Sequence, residues 1–127
     1  MHWAIKWVGK SYPVNGCWLF LSDVYAAEFG VDLPTFEEYR EPAKKGIRKI
    51  REEIDSGESW ESCGPIEGAA VALTQRHVIT HVGVYTELDG GKILHTINGK
   101  VAAVSPSWCR RNHWTATYYK CRKLPNI

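Results

Sequence analysis

The sequence predicts an α+β fold, helices first and an antiparallel sheet after, on three observations. Apolar residues Trp18, Leu21, Val24 and Tyr25 recur at helical spacing behind Cys17. From Ala69 onward, β-branched and aromatic runs replace that pattern. The signals "LDGG" and "NGK" divide those runs as hairpin loops do.

The first helix is expected from Cys17 to about Phe29, with Leu19 and Phe29 adding to its apolar stripe and Gly30 as its C-terminal stop. Asn15 is the N-cap candidate, which places Cys17 among the first backbone amides that have no intrahelical partner. The segment from Val31 to Trp60 is charge-rich, with Pro42 and Gly46 near its centre. It predicts two short solvated helical pieces, the second marked by Ile47, Ile50 and Ile54 at i, i+3 and i+7. After "SCGPIEG" come the expected strands "AAVALT", "HVITHVGVYTEL", "KILHTI", "KVAAVS" and "TATYYKCRKL", read as an antiparallel meander with the first helix on one face. Residues 1–127 make one domain, and a chain of this length buries roughly two thirds of its unfolded surface.

Composition narrows the function. Net charge is +2, and sixteen basic residues are interspersed with fourteen acidic ones, so the footprint of a nucleic-acid binder is missing. No apolar run approaches the roughly 18 residues of a membrane span, and "MHWAIKWVGKSY" does not read as a secretory signal. Synthesis and folding in a cytoplasm are the expectation. The four cysteines show no C-x-x-C pair and read as reduced, and no cofactor is called for.

A thiol at a helix start feels the positive end of the macrodipole and nearby free amides, which favour the thiolate. Such a nucleophile needs a base, and the base needs a third group to orient it. His81 and His95 are the candidates: with Thr86 to Gly90 as the hairpin loop, His81 falls directly opposite His95, Cβ atoms roughly 5 Å apart. His77 and His81 share the H-x-x-x-H spacing of a helical zinc site, but on a strand they lie about 13 Å apart, so no metal is expected. Cys109 and His113 lie in "SWCRRNHW", read as a packed loop. Six tryptophans and six tyrosines raise the question of sugar stacking, with Trp18 beside the candidate nucleophile.

"WVGKSYPVNGCWLFLSDVYAAEFGVDLP", "GPIEGAAVALT", "THVGVYTELDGGKILHT" and "WTATYYKCRKL" together resemble the NlpC-like cell-wall cysteine peptidases, in particular the short forms encoded among phage tail genes. The resemblance covers nearly the whole chain. It implies a papain-like arrangement with Cys17 as nucleophile, His81 as general base and His95 as the residue that orients it. It further implies cleavage of amide bonds in peptidoglycan stem peptides, with Tyr12 and the Cys17 amide at the oxyanion. Delivery by a virion tail or related particle, with tail-tip or baseplate partners, belongs to the same expectation. Gly16 and Ala69 stand where the family usually has aspartates. Those departures keep open a structural tail protein that retains the fold with little catalysis, and an acyltransferase or toxin amidase is a third possibility.

Overall fold

A computed structural model describes residues 2–13, 16–33 and 50–122. A single 3-10 turn, Ile5–Trp7, leads to helix α1, Cys17–Val24, which passes into a π turn over Tyr25–Phe29. Gly30 ends it in the left-handed conformation (φ 68°), as its place in the sequence predicts. The N-cap is Gly16 rather than Asn15, which lies outside the described residues. Gly16 donates its N–H to the Pro13 carbonyl at 2.9 Å, and a Cβ there would stand 2.7 Å from that same oxygen. The glycine before Cys17 is thus required by the tight approach to the helix.

Helix α2, residues 50–55, carries Ile50 and Ile54 onto the core as the spacing predicts. Ile47, Pro42 and Gly46 lie outside the described residues. Strands β1 (Trp60–Cys63), β2 (Ala70–Gln75), β3 (Val78–Thr86), β4 (Lys92–Ile97) and β5 (Lys100–Val104) follow, then helix α3 (Pro106–Arg111) and strand β6 (Thr115–Cys121). All pairings are antiparallel, in the order β1-β6-β2-β3-β4-β5.

The meander therefore holds for β2 to β5 only, because β6 returns to pair with both β2 and β1. The return is made by α3, in a stretch where the sequence predicts a packed loop. Ser105 accepts the Trp108 N–H at 3.0 Å and Pro106 sits at the first helical position, an N-terminal signature that "SPSW" carries openly. The β4–β5 turn is the two-residue Asn98-Gly99 type, both residues at positive φ (51° and 81°).

Both faces of the central strands are covered. Trp18, Phe20, Leu21, Val24 and Tyr25 pack with Ala70, Ala72, Val82, Val84 and Leu94 on one side. Val71, Leu73, Tyr85, Ile93, Val104 and Cys109 form the second cluster. Alternation along each strand divides the residues between the two.

The β3–β4 register differs from expectation by an even step. Thr86 pairs with Lys92 and Val84 with Leu94, so the loop is 87–91 and His95 faces Gly83, not His81. The even shift leaves both histidines on one face as diagonal neighbours. A Cβ on Gly83 would stand 2.4 Å from the Leu94 carbonyl and 3.1 Å from the His95 Cβ. Gly83→Ala is therefore expected to cost about 1–3 kcal/mol through overpacking. Urea unfolding measures it, and an unchanged midpoint would contradict the register.

Candidate active site

Cys17 opens α1 and is 7% exposed. Its Sγ lies at the backbone N–H groups of Val82, Trp18 and Cys17 itself. Burial pushes the thiol up and those three donors pull it down, and burial wins. The helix start thus offers the expected donors, but the resting group is a neutral thiol.

His81 and His95 meet edge to face, ring centroids 5.8 Å apart at 82°. Trp114 stands 5.2 Å from His81 and 5.4 Å from His95, and Trp108 5.9 Å from His95. Nothing at sequence level singled out Trp108 and Trp114 as the walls of the histidine pair, because only the α3 return brings them there. His95 is fully buried, and neither of its ring nitrogens has a hydrogen-bond partner among the described residues, nor has His81 Nδ1. Burial depresses both imidazoles, and His81 depresses His95 further, to about 4.

Two packing environments border the candidate residues. Cys17 belongs to the cluster with Val82, Val84 and Leu94, whereas the histidine rings lie with the tryptophans that border the second cluster. They come nearest along β3, where Cys17 Sγ meets Val82 N–H, one residue from His81. Here β3 also bulges: Leu73 pairs with His81 but Thr74 with Ile79, leaving Thr80 as the extra residue.

Tyr12 donates its hydroxyl to Asp23 Oδ2 at 2.8 Å and lays its ring against Phe20. Burial and then Asp23 hold the phenol well above its usual range. Asp23 is six residues along α1 from Cys17, about 9 Å of helical rise, so the hydroxyl serves the far end of α1. Trp18 is 1% exposed and packs beside Leu21, Trp60, Ala72 and Val82, as core rather than as a stacking platform.

Glu67 was also not singled out. Its carboxylate accepts the Trp3 indole N–H at 3.0 Å, the Thr86 hydroxyl at 2.7 Å and the Glu87 N–H at 2.6 Å, tying the N-terminal segment to the end of β3. Cys17, Cys63, Cys109 and Cys121 are all free thiols, Cys109 and Cys121 being in different clusters. His77 stands in the β2–β3 turn, away from the histidine pair. Among the described residues no helix is long and apolar enough to cross a membrane.

The depressed imidazoles fix a sign for stability against pH. The unfolded chain takes up protons first as pH falls below about 6.5, so stability is present above that value and lost on the way down. For His95, with a folded value of about 4, the loss amounts to about 3 kcal/mol by pH 4. Urea unfolding from pH 7.5 to 4 should show a shallower slope in His95→Phe than in the parent. Parallel curves would refute the assignment.

The NlpC/P60 family model matches residues 3–123, that is, the N-terminal segment, α1 and the whole six-stranded sheet. No curated protein and no solved structure gives a significant match. With a cysteine heading the first helix, an antiparallel sheet behind it and a histidine pair on adjacent strands, the chain belongs to the NlpC/P60 family of cell-wall cysteine peptidases and amidases.

Proposed function

We propose that the protein is a cysteine endopeptidase or amidase acting on peptidoglycan stem peptides, with Cys17 as nucleophile, His81 as general base and His95 as the residue positioning His81. The observation that carries this reading is Cys17 at the head of α1 with backbone N–H groups around its sulfur, in a chain matched by the family over residues 3–123. The contact of His81 with His95 supports the two histidine roles.

The chemistry is acyl transfer. The thiol gives its proton to His81 and attacks the amide carbonyl. The oxyanion is met by the Cys17 N–H, which then points at it instead of at the sulfur. His81 returns the proton to the leaving amine, and water, deprotonated by the same ring, releases the acyl group. Cys17 Sγ lies at the N–H of Val82, the residue after His81, which supports this proton exchange, and the bulge at Thr80 on the other side of His81 is where the strand re-aims its side chains. Delivery to the wall on a phage tail or related particle is part of the same proposal.

A second reading, a tail-tip or assembly protein that keeps the fold without catalysis, is favoured by the low exposure of Cys17 and by the tryptophan walls around the histidines.

Hydrolysis of purified peptidoglycan separates the two. Cys17→Ser should abolish release of soluble amines, and His81→Ala should lower it about 10²–10⁴-fold. Iodoacetamide alkylation of Cys17 should proceed below the free-thiol range of about 8.5 once substrate is present, and lose that property in His81→Ala. An ordinary thiol profile with no release by the parent protein would establish the structural reading.

A further inference from the structure

The interspersed charge expected from the composition holds only for the first half of the chain; beyond it the charge is segregated in a way the net value hides. Residues 68–86 and 90–127 contain no aspartate or glutamate, while the second stretch alone holds Lys92, Lys100, Arg110, Arg111, Lys120, Arg122 and Lys123. The two stretches meet where the β2–β3 hairpin passes the turn after α3, joined by the Gln75 side-chain amide donating to the Asn112 carbonyl at 3.4 Å.

At that meeting is a groove of about 560 Å³ lined by Gln75, Arg76, Val78, Thr80 and His113. Arg76 has no carboxylate partner among the described residues. Val78 contributes an exposed apolar surface, 51% open. Arg76, His77 and His113 are held at positive φ (52°, 65° and 64°), three of the five non-glycine residues so placed among the described residues. A two-residue turn of this kind ordinarily takes Asn-Gly, so a side chain as large as arginine is kept here against backbone preference.

We infer that this groove binds a carboxylate-bearing segment of the wall stem peptide, Arg76 receiving the carboxylate. The inference rests on the peptidoglycan reading above for the source of the ligand. A guanidinium fork matches a planar carboxylate with two parallel hydrogen bonds. One arginine beside an amide, a hydroxyl and an apolar side chain is a lining for a peptide, which brings one charge, amide groups and a side chain together. A phosphate polymer would ask for several cations in a row. The groove also adjoins the candidate chemistry, since Thr80 in its wall is the residue before His81.

The test reads binding in Cys17→Ala protein, where no turnover interferes. Titration calorimetry would use three probes: a stem peptide with free carboxylates, the same peptide amidated, and a glycerol phosphate oligomer. The free-carboxylate peptide should bind, amidation should weaken it about tenfold or more, and adding Arg76→Gln should do the same. His113→Gln, at the opposite wall, should give a smaller loss, and circular dichroism confirms that both variants fold. Equal affinity for the free and amidated peptides, no effect of Arg76→Gln, or preference for the phosphate oligomer would each overturn the inference. A parent protein that binds through Arg76 but hydrolyses nothing would refute the peptidase reading alone.

Discussion

Strand β3 is covered on both faces, and most of the site follows from that constraint. Its alternation has to send Val82 and Val84 toward α1 and His81, Gly83 and Tyr85 toward α3. Neither direction has room for exchange, since one side is filled by Trp18 and Leu21 and the other by Trp114 and Ile93. Gly83 is the cost of bringing β4 close enough for His95 to lie beside His81. The thiol at the head of α1 is then brought up against the Val82 backbone.

The same double cover decides the charge states. At Cys17 a helix start and three backbone donors favour the thiolate, effects of order 1 kcal/mol each at a helix end. Burial opposes them and is the larger effect, because a desolvated ion loses more than fixed dipoles return. At His81 and His95 burial acts in the opposite sense, toward the uncharged ring, and His81 further discourages a proton on His95. A neutral thiol and two neutral imidazoles are thus one consequence of one packing arrangement. Charge separation has to be created with substrate in place rather than stored beforehand.

The helix from Cys17, the Gly30 stop, strands β2 to β6 and the hairpins at "LDGG" and "NGK", though not the Arg76-His77 turn between β2 and β3, were legible in the sequence, because periodicity and turn chemistry are local. The α+β class follows from their order. Strand β1 was not, being four residues whose pairing with β6 is set by tertiary contact. Helix α3 was missed although "SPSW" signals it, since six residues are too few to show a period. For the candidate site, the contact of His81 with His95 could be read from strand spacing because an even register error preserves the face. The seating of Cys17 against the Val82 N–H could not, since where a helix docks on a sheet is not written in that helix. Tyr12 shows the same limit, five residues from Cys17 in sequence yet bonded to Asp23 in space.

The two positions where the chain departs from the family pattern are explained by its own packing. Next to Cys17, an aspartate in place of Gly16 would drive its Cβ into the Pro13 carbonyl at 2.7 Å, so the short "PVNGC" approach excludes it. At the entry to β2, Ala69 is fully buried in the cluster with Val71 and Tyr85, and its backbone already serves both the Ile66 carbonyl and the Tyr85 N–H. A carboxylate there would be an uncompensated buried charge. The acidic residue near the sheet entry is Glu67, two residues earlier, whose carboxylate reaches the indole, hydroxyl and amide donors of Trp3, Thr86 and Glu87. At position 67 the carboxylate has donors that satisfy it, and it holds the N-terminal segment against the sheet.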